Sequence, residues 1–167
     1  MRVYLPATVR MLRRLVEDDQ IQPLSGTAFA LTPALRESYA IGETDELEYA
    51  AMREAARASL RLLGSELAED EKAEPRRAVV PADVEDATLR PDLDHAVVRL
   101  SGPVPWSRLA AVHVDTSEAE DAVRAASAVV DSADLGDEDA EITLGDAEDH
   151  ELAWYAPQEL PFLLELM

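Results

Sequence analysis

From Asp45 to Leu67 the chain runs for 23 residues built almost wholly of strong helix formers, interrupted only by Gly64. Two apolar stripes lie along this helix. Tyr49, Met52, Ala56, Leu60, Leu63 and Leu67 form one, and Ala51, Ala55, Ala58 and Leu62 form a second roughly opposite. The small side chains of the second stripe let another element approach closely, so the helix is expected to be buried on two sides. Any fold must therefore supply cover for both. The Ala-lined stripe can also serve as the interface of a homo-oligomer.

Around this helix, strand and helix patterns alternate. Arg2–Pro6, Thr27–Leu31, Ala78–Pro81, His95–Leu100, Ala110–Val114 and Glu151–Tyr155 read as strands. Thr8 caps a helix through about Asp18, and Thr32–Pro33 starts another through Tyr39. A helix from Ser117 to about Val130 has capping-box spacing at Ser117 and Glu120, and Gln158–Leu166 closes the chain as a short helix. This order predicts an α/β or α+β fold, a mixed sheet of about five or six strands with helices packed on it. At 167 residues the expectation is a single globular domain spanning 1–167. Residues 68–77 and 131–150, dense in charge and without periodicity, read as exposed charged loops, the first of them mobile. Pro6, Pro81 and Pro157 each follow an extended run and suggest a recurring strand exit.

Charge narrows the function. The net charge is -20, and the last third carries most of it: residues 101–167 hold 2 Arg and 16 acids, against 8 Arg and 10 acids in residues 1–67. Direct nucleic-acid binding is not expected, since phosphate contacts need basic surface. A chain with no cysteine has no disulfide, thiolate metal site or cysteine nucleophile. No apolar run approaches the roughly 20 residues that span a bilayer, and MRVYLPAT lacks the apolar centre of a signal peptide, so a soluble cytoplasmic protein is expected. Neither a dinucleotide-binding nor a Walker-type glycine loop occurs, and no cofactor is expected.

Three constellations bear on chemistry. His113 and Asp115 alternate on one strand, and His95 and Arg99 can join them if their strands pair, giving a polar cluster with His113 as base and Asp115 as its orienting carboxylate. Arg53, Arg57 and Arg61 form a row along the long helix, suited to an acidic partner or, as the favoured alternative, to the chain's own acidic last third. Asp137, Asp139, Glu141 and Glu148 fall at positions 1, 3, 5 and 12 of a calcium loop, but Ile142 stands where that loop needs Gly, and no metal is assigned.

The segments SGTAFALTPALRESYA, ELEYAAMREAARASLRLL and HELAWYAPQEL, with the opening MRVYLPAT, resemble an uncharacterised family of small acidic proteins from high-GC Gram-positive bacteria. The resemblance extends over nearly the whole chain and implies a domain of unknown function with no assigned activity or residue roles. The residues themselves favour a non-enzymatic acidic interaction domain for a basic protein partner, through Asp137, Glu138 and Asp139, with the Arg53–Arg57–Arg61 row the candidate surface for an acidic one. The alternative is a small-molecule binder or enzyme around His95, Arg99, His113 and Asp115.

Overall fold

The computed structural model describes residues 1–39 and 41–167. Among them the chain forms β1 (Arg2–Ala7), α1 (Val9–Asp18), β2 (Gln20–Ile21), β3 (Thr27–Phe29), α2 (Pro33–Ser38), α3 (Thr44–Glu69), β4 (Ala78–Asp83), β5 (Thr88–Leu89), β6 (Val97–Arg99), β7 (Val104–Pro105), β8 (Val112–Val114), α4 (Glu120–Asp134), α5 (Glu138–Glu148), β9 (Ala153–Tyr155) and α6 (Leu160–Glu165). Seven strands make one sheet in the order β5-β6-β3-β1-β4-β8-β9, and β2 with β7 makes a separate two-stranded ribbon. The fold is α+β. The alternation points to a mixed sheet of five or six strands, and the structure instead pairs every described neighbour antiparallel and adds a seventh strand, β5. Because β1 runs antiparallel to both β3 and β4, those two are parallel to each other, and α2 and α3 form the crossover between them.

Both faces of the central strands are buried. Val3, Leu5 and Ala7 of β1 and Ala78, Val80 and Ala82 of β4 pack on Leu12 and Leu15 of α1 and Leu160 and Leu164 of α6. On the other face Tyr4, Phe29, Val79 and Val97 meet Ala51, Ala55 and Ala56 of α3. Farther along α3, Leu60 and Leu63 join a second core with Val123, Ala126 and Val130 of α4 and Ala140, Leu144 and Ala147 of α5. Thus α3 is buried on two sides, against the sheet and against an α4–α5 hairpin. The Ala stripe faces inward at Ala51 and Ala55, both fully buried, while Ala58 and Leu62 farther along it are half-buried. Ser59 locks this contact: its Oγ donates to the Ala7 carbonyl at 2.7 Å and accepts the Ala78 N–H at 3.1 Å.

Gly64 marks the closest approach of α3 and α4. A Cβ built there would lie 2.7 Å from the Ser127 carbonyl oxygen, which is backbone and cannot swing away. Gly64→Ala gains about 1 kcal/mol of helix propensity, but forcing apart a packed helix pair costs roughly 1–3 kcal/mol. The expected result is a net loss of about 1 kcal/mol in urea denaturation, whereas Ser65→Ala, on the exposed side of the same turn, is neutral or stabilising.

Two sequence expectations are corrected here. Pro6 and Pro81 lie inside β1 and β4, opposite Val79 and Tyr4, rather than at strand exits. Proline has no N–H, so these register pairs are the ones that exchange no ladder bonds, and the Pro81 carbonyl turns outward to accept from Ala110 N at 2.8 Å. Only Pro157 behaves as an exit, opening a short 3-10 turn. Residues 131–150 are not a loop: α4 continues to Asp134 and α5 fills Glu138–Glu148, including Ile142–Leu144, which read as a short extended piece. Asp137 caps α5 by accepting the Ala140 N–H at 3.0 Å. Glu138, Asp139 and Glu141 sit in its first turn, where the helix dipole favours acids.

The expected loop at 68–77 begins two residues late, since α3 runs through Glu69, and its second half is anchored. Pro75 and Arg77 are buried, Arg13 binds Glu74 at 2.8 Å and Arg76 binds Glu120 at 2.9 Å.

Candidate functional site

The four residues of the expected polar cluster do not converge. His95 is exposed in the loop before β6, and Arg99 sits on β6 with a buried Nε that has no hydrogen-bond partner. His113 is on β8, and β3, β1 and β4 lie between β6 and β8. Four strand spacings of about 4.8 Å put the two pairs roughly 19 Å apart. Asp115 does not orient His113. It is 1% exposed and its two oxygens accept from the Arg77 Nε, Nη2 and backbone N–H, each at 2.8 Å. Arg77 Nη2 also reaches the His150 carbonyl at 2.7 Å, so this buried pair ties the start of β4 to the end of β8 and to the chain entering β9. Burial lowers the pKa of His113, which is neutral at pH 7. The arrangement is a buried ion pair on the strand that carries a half-buried imidazole.

The arginine row on α3 is spent within the molecule. Arg53 binds Glu148 at 3.1 Å, Arg57 binds both Asp134 and Glu141 at 2.9 Å, and Arg61 binds Asp134 at 2.7 Å. This is the favoured sequence alternative, the acidic last third folding onto the row. Hydrogen bonds from Arg61, and next from Arg57, hold Asp134 below the usual carboxylate range against the opposing effect of burial. Its pairing therefore stabilises the fold above the unfolded carboxylate pKa and is lost as pH falls through the lower folded value. Such half-exposed pairs are worth only about 0.2–1 kcal/mol each, but sharing Asp134 between two guanidinium groups fixes the seat of the hairpin on α3.

With the inner face neutralised, the outer face of α4–α5 is strongly acidic. Glu118, Asp121, Asp131, Glu138, Asp139, Asp146 and Asp149 are all exposed and make no ion pair among the described residues. Between them Leu135 and Ile142 stand 89% and 67% exposed. Asp137, also exposed, caps α5. A cleft of about 290 Å³ lies between α3 and the α5–β9 connection, lined by Tyr49, Arg53, Glu54, Arg57, Glu148 and Glu151 among others. Its charged groups are mostly matched: Tyr49 donates to Glu151 at 2.9 Å, and the arginines hold the pairs just given. Glu54 is the exception, with no partner among the described residues and a pKa raised chiefly by burial.

Among the described residues no group of three or more His, Asp or Glu is placed to hold a metal ion. No helix among them is long and apolar enough to cross a membrane.

The fold and site together define a layered α+β domain with a self-neutralised inner charge network and an unmatched acidic helical hairpin. The chain belongs to a family of unknown function, DUF6912, whose model matches residues 1–164. Comparison with curated proteins and with solved structures finds no match.

What sequence reasoning missed at the site is α5 itself and the burial of Arg77. The signal for α5 was available: Asp137 as a cap and Ala140, Leu144 and Ala147 at i, i+4 and i+7 from Ala140.

Proposed function

We propose that this protein is a non-enzymatic interaction domain that presents the acidic outer face of α4–α5 to a basic surface on a protein partner. One observation carries the reading: α3 supplies arginines to Asp134, Glu141 and Glu148 on the inner side of the hairpin, while the exposed outer carboxylates make no ion pair among the described residues and Arg124, the one cation of α4, bonds only the Glu71 carbonyl. Unmatched like charges on one helical face repel each other, and an incoming basic surface relieves that repulsion. Leu135 and Ile142 give the same face an apolar centre, the composition of a docking surface with a polar rim. The strong bias to Arg, 14 of the 15 basic residues, supports an origin in a high-GC genome.

The test is capture of partner from native extract by tagged protein, comparing wild type with Asp137→Asn/Glu138→Gln/Asp139→Asn. Asn caps a helix as well as Asp does, so the variant keeps α5. Wild type is expected to retain a stoichiometric basic partner at low salt and lose it at moderate salt, with capture by the variant falling several-fold. Equal capture by both proteins would refute the hairpin as the docking surface.

A further inference from the structure

A second surface lies at the opposite end of α3. The helix covers β3, β1 and β4 but stops short of the sheet edge, leaving the α3-side face of β8 and β9 open. There His113 and Trp154 are direct cross-strand partners, and Trp154 is 60% exposed. Trp154 and Tyr49 line one groove of about 390 Å³ with Met52, His113, Asp45 and Glu48. Tyr49 itself is 46% exposed.

The groove's charge is unbalanced. Its one arginine, Arg2, is already held by Asp83 through bonds of 2.8 and 3.2 Å. Asp45 has no ion pair among the described residues, and Glu48 receives only a long, 3.4 Å bond from Tyr4. The Tyr4 hydroxyl, pushed up to about 12 first by burial and then by Glu48, stays protonated and adds no charge. The neutral His113 imidazole does not oppose a cation.

We propose that this groove receives an arginine side chain from an extended segment of a protein partner, its guanidinium stacked on Trp154 and Tyr49 and its charge met by Asp45 and Glu48. Two exposed aromatic faces beside uncompensated carboxylates match the planar, weakly hydrated guanidinium, which gains both from the ring quadrupole and from bidentate carboxylate contact. The open edge of β9, the last strand of the sheet, lets such a segment lie alongside. This inference rests on the basic-partner reading above but uses a surface separate from the hairpin.

Calorimetric titration of the full chain with an acetylated hexa-arginine amide, and with the uncharged isostere hexacitrulline, tests it. Hexa-arginine is expected to bind wild type and hexacitrulline not. Trp154→Ala and Asp45→Asn/Glu48→Gln each weaken binding about fivefold or more, and Trp154→Phe, a weaker cation–π surface, falls between. Because Trp154 is exposed, its replacement leaves the core intact, and thermal melting verifies this. The hairpin variant at residues 137–139 is expected to keep most of the peptide affinity. Undiminished affinity in Trp154→Ala, loss confined to the hairpin variant, equal binding of hexacitrulline, or no binding to wild type would each overturn the groove. The first three would leave the hairpin reading to its own capture test.

Discussion

Replacing Arg77 with methionine is expected to remove about 3–5 kcal/mol of stability. The reason is the company Arg77 keeps. It is 2% exposed and donates three bonds to Asp115 and one to the His150 carbonyl. Methionine fills a similar volume but leaves the Asp115 carboxylate buried with only the backbone N–H of residue 77 as donor. An unpaired buried charge costs far more than the pair contributes, because desolvation of both ions offsets most of their attraction. A double change, Arg77→Met with Asp115→Leu, is therefore expected to recover much of the loss. With an urea slope of about 2 kcal/mol/M, the single variant lowers the midpoint by roughly 2 M. Circular dichroism in urea measures both. A shift below about 0.5 M would mean that the pair is solvated and that it does not tie β4, β8 and β9 together.

The second large effect separates Leu144 from Ile142, two residues apart in α5. Leu144 is 0% exposed in the core shared with α3 and α4, and Ile142 is 67% exposed. Leu144→Ala is expected to cost about 2–5 kcal/mol through lost burial and the cavity left behind. Ile142→Ala should stay within about 0.5 kcal/mol. If residues 131–150 were a solvated loop, both changes would be equally silent. Similar small effects for the two would contradict the packed α4–α5 hairpin.

These two sites also show where the sequence speaks and where it is mute. The long helix was legible because its signal is local and redundant: eighteen strong helix formers in 23 residues, with two stripes, overdetermine it. The strands at Arg2, Thr27, Ala78 and Val112 were legible for a similar reason, apolar β-branched runs between turn residues. By contrast α5 shows only Ala140, Leu144 and Ala147 as an apolar stripe, and acids at nearly every other position outweigh that narrow face. Acids at that density suggest solvation, whereas at the first turn of a capped helix they are stabilising.

Pro6 and Pro81 misled for a different reason. The rule against proline in a sheet interior concerns the missing N–H, and the rule relaxes at register positions where that N–H would make no ladder bond. The polar cluster failed because it required β6 and β8 to be neighbours. Strand order depends on contacts distant in sequence, and three strands separate the two. Within the cluster, the alternation pairs Asp115 with His113, whereas in the structure Asp115 is paired with Arg77. Its partner, Arg77, was hidden at the end of a segment whose charge made it look exposed. For the arginine row, charge segregation along the sequence was enough to favour intramolecular pairing, and Arg53, Arg57 and Arg61 do face Glu148, Glu141 and Asp134.

On the proposed reading, encounter with a partner is steered by the unmatched outer carboxylates of the hairpin. The most direct measurement is the association rate of the captured partner as a function of ionic strength, for wild type and for Asp137→Asn/Glu138→Gln/Asp139→Asn. Steering by exposed charge falls steeply as salt shortens the screening length, so the wild-type rate should drop by an order of magnitude or more between low and physiological salt. The variant should start slower and show a flatter dependence, with a dissociation rate changed much less. Identical salt slopes for the two proteins would contradict the claim.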